Sequence, residues 1–482
     1  METRQTLRSA ILAWVMVAAT ALRAAEPAGE LIDRVWSGHP VGFALLVERG
    51  HQFIAYYDAE RRLTVAGRKI GDENWTRVQP PGVPVPGKNR DSNVTDWDSH
   101  NSLRLALDRE GCLHLSGNMH VNPLVYYRTR APFDVATLER LDHMTGERET
   151  RCTYPVFFKN AAGDLLFRYR DGSSGNGRDL YNLYDPATRT WRRLLDTPLL
   201  DGEGERNAYA IEPTLGPDGL FHLIWMWRET PDASTNHTLC YARSRDLVHW
   251  ENSRGEPLAL PITLATSDVV DPAKVKEGLI NMTQAIGFDA AKRPIVTYHR
   301  YDARGKSQVY AARPRGERWS PMSSSAKSAG GATGAHPKGN WEVSQVSDWD
   351  FRWEFSGGGS LAAEVTVGGP RVQPDGTLLM DYGSTAVGGG RWRLRAGTLE
   401  RFAQLPPVPS ALPEALGRVR ADSAGMEVQM LVARAAGRRW VLRWETLGRN
   451  RDLPRDSAPP PTELRLLELP DAATTEAKRV GS

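Results

Sequence analysis

The sequence predicts an all-β protein: one seven-bladed β-propeller, in a single domain, that follows an export signal. Its 482 residues include 44 Gly and 32 Pro with 40% hydrophobic residues, which suits many short strands joined by turns. A strand–turn–strand unit recurs seven times along the chain. Repeats of about 40–50 residues with paired strands are typical of propeller blades.

The amino-terminal segment has the pattern of a signal peptide. Arg4 and Arg8 precede an apolar run from Ser9 to Ala21, and the sequence Ala19-Thr-Ala21 matches a small-x-small cleavage site. We therefore expect residues 1–21 to be removed, with the cleavage point no later than about residue 25. The mature protein is expected to be secreted or periplasmic. The apolar run is too short to cross a bilayer, and no later segment qualifies.

The repeated unit is an apolar strand, a turn that contains Asp, Gly or Ala, and a second apolar strand. Glycine suits such turns because it adopts positive φ without steric cost. The copies predict one propeller domain over residues 30–470 and a disordered polar tail over residues 471–482. The seven predicted turn positions are Arg61, Gly111, Gly163, Gly219, Lys292, Gly376 and Gly437.

Charge and cysteine content narrow the function classes. The 61 Lys and Arg nearly balance the 58 Asp and Glu, so the sequence offers no electrostatic case for nucleic acid. The three cysteines are an odd number, which argues against a disulfide framework in an exported protein. We expect a monomer that has no membrane span.

Two histidines flank a predicted β-hairpin. His100 precedes the strand Ser102–Leu107, and His120 follows the strand Cys112–Ser116, with a turn at residues 108–111. An antiparallel hairpin returns its second strand to the end where the first began, so both imidazoles are expected at one end. They form a candidate site. The competing interpretation is that one or both histidines only cap strand ends.

Similar positions in later units carry further candidates. A propeller gathers loops from all its blades around one face, so polar groups at equivalent strand ends are expected to meet. Tyr154 precedes one strand and Arg170 ends its partner. The next unit supplies three more candidates for substrate binding: Arg206, Tyr209 and Arg228. Each residue alone could instead pack or pair locally, and their recurrence at one edge favours a site.

These residue types suit elimination from a uronic acid. Arginine can bind a carboxylate with two parallel hydrogen bonds. A phenol or imidazole beside it can remove the proton α to that carboxylate. The set lacks the paired carboxylates of a common glycosidase, and the sequence contains neither a nucleophile elbow nor a phosphate-binding glycine loop with its lysine.

Several motifs resemble those of the BNR-repeat β-propellers that include the ulvan lyases. They are DSHNS, GNMHVNPLVYYR, YPVFF…LLFRYRDGSSGNG, RNAY and WRETPDASTNH, and the resemblance covers residues 53–301. The resemblance implies two active-site histidines at His100 and His120 and a catalytic tyrosine at Tyr154. It also implies a carboxylate-neutralising arginine at Arg170 and a further cleft tyrosine at Tyr209.

A second cluster is a candidate zinc site. Three histidines and a cysteine would suit tetrahedral zinc, and resemblance to these lyases implies a structural zinc. The alternative is that His222 and Cys240 lie in the core and that His237 is a polar loop residue. The four candidate ligands are His222, His237, Cys240 and His299.

The sequence therefore predicts an exported polysaccharide lyase that acts on an acidic polysaccharide. Arg170 and His120 would neutralise the uronate carboxylate, and Tyr154 would transfer the proton, with His100 as the rival base. A sialidase-like hydrolase that uses Arg206, Arg228 and Glu229 is one alternative. The other is a non-catalytic propeller that binds glycans by stacking on some of its 15 tryptophans.

Overall fold

The computed structural model describes residues 29–316 and 340–471. The predicted signal peptide and residues 472–482 of the predicted tail lie outside these ranges. Regular structure in the described residues consists of 33 strands and three single-turn 3₁₀ helices, at Val135–Thr137, Ala233–Thr235 and Glu414–Gly417. The all-β prediction is confirmed. No helix in the described part of the chain is long and apolar enough to cross a membrane.

The strands of the described ranges form seven antiparallel sheets. The first strand, β1 (Glu30–Val35), belongs to the last sheet. The first complete sheet contains β2 (Ala44–Glu48), β3 (His51–Tyr57), β4 (Leu63–Lys69) and β5 (Thr76–Val78). The second contains β6 (Leu103–Leu107), β7 (Leu113–Gly117), β9 (Tyr126–Thr129) and β10 (Leu138–Leu141). Strand β8 (His120–Asn122) lies between β7 and β9 in the sequence but belongs to the third sheet.

The third and fourth sheets have six strands each. The third contains β8 with β11 (Cys152–Lys159), β12 (Leu165–Ser173), β13 (Asn176–Asp185), β14 (Thr190–Arg193) and β15 (Leu200–Asp201). The fourth contains β16 (Asn207–Ala210), β17 (Thr214–Leu215), β18 (Phe221–Arg228), β19 (Asn236–Ser244), β20 (Trp250–Glu251) and β21 (Asp268–Asp271).

The remaining sheets complete the described fold. The fifth contains β22 (Ala285–Phe288), β23 (Pro294–Tyr301), β24 (Ser307–Pro314) and β25 (Trp341–Gln345). The sixth contains β26 (Val365–Val367), β27 (Arg371–Val372), β28 (Leu378–Ser384), β29 (Gly390–Leu394) and β30 (Arg401–Leu405). The seventh contains β31 (Met426–Ala435), β32 (Arg438–Leu447) and β33 (Thr462–Pro470), in the order β1-β33-β32-β31.

The seventh sheet joins the two ends of the described chain. Strand β1 pairs antiparallel with β33, and Ile32 and Val35 of β1 are buried. Strand β31 at the other edge of this sheet contacts β2, and β2 in turn contacts β6, which contacts β11. The seventh, first, second and third sheets therefore lie side by side.

Six of the seven predicted turn positions are equivalent, and the first is wrong. The six join β6 to β7, β11 to β12, β17 to β18, β22 to β23, β27 to β28 and β31 to β32, all with positive φ; Gly111, for example, has φ +89°. Arg61 instead joins β3 to β4, and the equivalent turn in that sheet is Arg49-Gly50, between β2 and β3. Strand β3 pairs with β2 on one side and with β4 on the other. The local pattern of apolar residues therefore could not show which of these two hairpins corresponds to the repeated unit.

The apolar side chains pack between the sheets rather than on the surface. All eight residues of β18 are buried, as expected for a continuous apolar run covered on both faces. Twelve of the 13 tryptophans in the described ranges are buried. Most indole rings therefore belong to the core and are not available to stack on a sugar.

Candidate active site

Strand β8 brings the second and third sheets together at the candidate site. After β7 the chain bends at Asn118, which has φ +56°, and β8 then pairs with β11 through His120 and Thr153. His120 is thereby placed beside the start of β11, where Tyr154 lies. His100 enters from the loop that precedes β6. The predicted meeting of these three side chains at one place is observed.

The two imidazoles share one carboxylate. Asp98 Oδ1 lies 2.7 Å from His100 Nδ1, and Asp98 Oδ2 lies 2.7 Å from His120 Nδ1. The imidazole rings are stacked, with centroids 3.9 Å apart and an interplanar angle of 21°. Each histidine therefore uses Nδ1 for Asp98 and keeps Nε2 for other partners.

The electrostatics favour an ionised Asp98. Burial alone would raise the pKa of Asp98, but the hydrogen bonds from His100 and His120 outweigh it and hold this pKa well below its usual range. Burial also lowers the pKa of His120, and Asp98 offsets only part of that effect. An ionised carboxylate only accepts hydrogen bonds, so both Nδ1 atoms donate to it.

Tyr154 is aimed by a distortion of β11. The register between β11 and β12 shifts between Thr153 and Val156, and Tyr154 has φ +56°. A bulge of this kind turns a side chain away from its regular direction. An aromatic residue whose backbone adopts the left-handed conformation is also strained. Tyr154 as a whole residue is 39% exposed, and its Oη lies 3.2 Å from His100 Nε2.

Arg170 lies beneath the Tyr154 ring. Its guanidinium carbon is 4.8 Å from the ring centroid, and the residue is only 4% exposed. It donates to Thr153 Oγ1 at 3.2 Å and to Tyr209 Oη at 3.5 Å, while its Nε has no hydrogen-bond partner. Within the described part of the chain, no carboxylate lies within ion-pair distance of this buried cation.

The two cleft tyrosines have opposite electrostatic environments. Burial, reinforced by Tyr209, raises the pKa of Tyr154. Burial would also raise the pKa of Tyr209, but the charges of Arg170 and Arg228 outweigh it, so this pKa lies below its usual value. Tyr209 Oη is further held by Ser174 Oγ at 2.7 Å.

Arg206 and Arg228 are engaged by the protein itself. Arg206 pairs with Glu205 at 2.8 Å and with Glu229 at 3.1 Å. Arg228 stacks on the Tyr209 ring at 5.1 Å and donates to the carbonyls of residues 230–232. Arg206 therefore already has carboxylate partners and Arg228 has backbone carbonyls, whereas the acceptors of Arg170 are the hydroxyls of Thr153 and Tyr209.

The four predicted zinc ligands do not converge. His222 hydrogen-bonds Tyr241 and Asp218, His237 hydrogen-bonds Glu229, and His299 hydrogen-bonds the Gly278 carbonyl. Cys240 lies on β19 and pairs with Trp225 on β18. His222 stands three positions before Trp225 on β18, and three positions span about 10 Å along a strand. The described structure therefore does not bring these four ligands together, and no step of the chemistry is assigned to zinc. In the described ranges, the one cluster of three or more such groups close enough to share an ion is Asp98, His100 and His120.

Two acidic residues of the site were missed by sequence reasoning. Asp98 could have been found, because it stands two residues before His100 and accepts a hydrogen bond from the His100 backbone N–H. Asp452 had no local signal. Its carboxylate binds Ser99 and Ser360 and lies 3.5 Å from His100 Nδ1, so it links three distant segments of the chain.

The seven antiparallel sheets of the described ranges define an all-β protein with a β-propeller fold. The chain belongs to the BNR repeat-containing family, whose sequence model matches residues 51–326. No curated protein has a significant sequence match to it.

Solved structures similar to this chain include two polysaccharide lyases. The crystal structure of polysaccharide lyase Uly1 is 15% identical, with a TM-score of 0.53 over 89% of this chain and 90% of that one. A PL25 ulvan lyase is 13% identical, with a TM-score of 0.54 over 92% of this chain and 95% of that one. The same values apply to that lyase bound to -[GlcA(1-4)Rha3S]-. At these identities the likeness shows the fold alone.

Proposed function

We propose that the protein is a polysaccharide lyase that cleaves a uronate-containing glycan by β-elimination. The observation that carries this proposal is Arg170, a buried cation with no carboxylate partner in the described residues, directly beneath Tyr154 and near His100. Burying an unpaired charge costs several kcal/mol, by an order-of-magnitude estimate. An anionic group of the substrate would supply the missing partner.

The chemistry follows from what these groups can do. Arg170 would bind the uronate carboxylate and stabilise the negative charge that develops when the C5 proton leaves. A neutral His120 uses its one N–H on Asp98, so the carboxylate is assigned to Arg170 alone. Tyr154 would receive that proton. The bond between C4 and its glycosidic oxygen then breaks, C4 and C5 become doubly bonded, and the leaving oxygen takes up a proton. Two shorter chains result, one with an unsaturated uronate at its new end.

The named activities of the neighbours support this choice over its rivals. Both neighbours are called polysaccharide lyases, and one was solved with a glucuronate-containing fragment. A sialidase-like site would need Arg206 and Glu229 for substrate, but they bind each other. A glycan-binding propeller built on tryptophan would need exposed indoles, and the described tryptophans are nearly all buried.

The proposal extends to architecture and location. The seven sheets would be seven blades around one axis, closed by the pairing of β1 with β33. A polymeric substrate lies outside the cell, which agrees with the predicted export of the chain to the periplasm or the medium. A monomer is sufficient, because every residue assigned to the cleft belongs to one chain.

A panel of polysaccharides tests the function. Acidic glycans and carboxyl-reduced versions of the same glycans are incubated with the purified protein, and ultraviolet absorbance and molecular mass are followed. We expect absorbance to rise as mass falls for at least one uronate-containing glycan, and neither to change for its reduced version. A fall in mass without new absorbance would indicate a hydrolase, and binding without either change would indicate a glycan-binding protein.

A further inference from the structure

Asp98 is the carboxylate on which both active-site imidazoles depend. It is held in place before any substrate arrives: its backbone N–H donates to Asp96 Oδ1 at 3.1 Å, and its side chain is 14% exposed. Its two oxygens are divided between the two rings, one to His100 and one to His120, each at 2.7 Å. One carboxylate thus orients two imidazoles.

This arrangement determines which nitrogen of each imidazole is left as a hydrogen-bond acceptor. In a neutral imidazole one nitrogen carries the proton and the other accepts hydrogen bonds. In a neutral ring, donation from Nδ1 to an ionised Asp98 leaves Nε2 as the acceptor. His100 Nε2 can then accept the hydroxyl proton of Tyr154, whose Oη lies 3.2 Å away.

We propose that Asp98 is a positioning residue that keeps His100 and His120 protonated on Nδ1, so that His100 can take the phenolic proton of Tyr154 during elimination. This inference rests on the proposed lyase function. In the step, Tyr154 Oη receives the substrate C5 proton while its own proton passes to His100 Nε2. The C4–O bond breaks, and the proton held by His100 returns through Tyr154 to the leaving oxygen, so every proton is accounted for.

The charges around His100 explain why the carboxylate is needed. Burial raises the pKa of Tyr154, so its phenolate is scarce near neutral pH and its proton must be removed as the reaction proceeds. An imidazolium formed on His100 would lie against the stacked ring of His120, with the ring centroids 3.9 Å apart. Two carboxylates lie beside Nδ1 of that ring, Asp98 at 2.7 Å and Asp452 at 3.5 Å, and their negative charge would stabilise the cation.

A purely structural role for Asp98 would be to tie the loop before β6 to β8, and this role would lead to different experimental results. Its removal would lower the melting temperature and affect all properties together. A positioning Asp98 predicts a change of tautomer and a loss of kcat with KM nearly unchanged. The buried pair Asp108 and His114, on the hairpin β6–β7, offers a matched control because it is also an Asp–His contact, at 3.3 Å, and does not touch the cleft.

The first test uses the unchanged protein. Protein labelled with ¹⁵N-histidine is measured by NMR near neutral pH, and the His100 and His120 signals are assigned with His100→Gln and His120→Gln. We expect both rings to carry the proton on Nδ1. If either ring of the wild-type protein is protonated on Nε2 alone, the proposal is overturned, whether or not any glycan is cleaved.

The second test compares Asp98→Asn with Asp108→Asn. Asp98→Asn is expected to change the tautomer signals and to lower kcat by roughly 10²–10⁴-fold, with KM within about threefold. Asp108→Asn should leave the His100 and His120 signals and kcat unchanged at a temperature where it is folded. An Asp98→Asn protein with wild-type kcat overturns the proposal. Absence of lyase activity in the wild type would instead defeat the proposed function, while the tautomer signals still report on Asp98.

Discussion

Arg168 and Arg170 stand two positions apart on β12 and have contrasting surroundings. Arg168 donates to both oxygens of Asp179, at 2.8 and 2.9 Å, so its buried charge is compensated. Arg170 is equally buried but has only hydroxyl acceptors among the described residues. The first arrangement is typical of a structural ion pair. The second is typical of a group whose acidic partner is a ligand.

This contrast predicts opposite effects of the same substitution. Arg170→Met should leave the free energy of unfolding unchanged or raise it by about 1–4 kcal/mol, because an unpaired buried charge is removed, and should abolish binding of the acidic glycan. Arg168→Met should lower stability by about 3–5 kcal/mol, because Asp179 is left buried without a partner. Denaturant titration and calorimetric binding measure both quantities. Loss of stability in Arg170→Met together with normal glycan binding would contradict the assignment.

Tyr154→Phe removes only one hydroxyl from a partly exposed ring. We expect turnover to fall by about 10²–10⁴-fold, because the group that accepts the C5 proton is lost. The melting temperature and the affinity for glycan should change little, since the ring can still cover Arg170. Release of unsaturated uronate by the variant at a near-normal rate would show that the base is a different group, with His100 the next to test.

At the scale of elements, the site depends on short irregular strands rather than on regular ones. Tyr154 lies in a bulge of β11 with positive φ, and Val121 beside His120 has φ +56°. Backbone strain of this kind costs about 1–3 kcal/mol per residue and persists where the surrounding structure enforces it. Here it aims two side chains of the third sheet, Tyr154 on β11 and His120 on β8, at one point.

Strand β1 is predicted to be needed for stability although it lies far from the cleft in sequence. Its removal would leave an edge of β33 unpaired and would expose the sites of Ile32 and Val35, each worth roughly 1.5–3 kcal/mol of burial. A variant that starts at residue 36 should therefore melt at a clearly lower temperature and tend to aggregate. A variant that starts at residue 29 is the control, and equal melting temperatures for the two would contradict this role.

At the scale of the whole molecule, buried histidines make stability depend on pH. Burial lowers the pKa of His39 and of His299 from 6.5 to about 4. Because the folded pKa lies below the unfolded one, the unfolded chain binds more protons between pH 6.5 and 4. Stability is therefore fully present above about pH 6.5 and is lost as the pH falls toward 4.

The expected loss is measurable. For each of these two histidines, the free energy of unfolding should fall by about 2 kcal/mol when the pH is lowered from 7 to 5. Denaturant titrations at both pH values test this. His299→Gln should reduce the difference between the two pH values, whatever its effect at pH 7. An unchanged pH dependence in that variant would mean that His299 is not buried as a neutral group.

Much of the fold could be predicted because its signals are local. Alternating apolar residues and turn residues such as Gly111 identify strand pairs from a few neighbouring positions. The same signals located His100 and His120 on either side of a hairpin. Tyr154 and Arg170 were found on paired strands, but both strands are longer than predicted, so the two residues lie within β11 and β12 and not at their ends. The error at Arg61 arose where one strand has two equally apolar partners.

The sequence by itself determined the strands, their turns and the residue types that meet at one edge, because these depend on contacts within a hairpin. Only the tertiary structure decided that Asp98 joins two imidazoles, that Arg170 has no carboxylate partner in the described residues, and that the proposed zinc ligands lie apart. Asp452 reaches His100 from the far end of the chain. Such contacts depend on how whole sheets are placed beside one another, and no local pattern of residues records that placement.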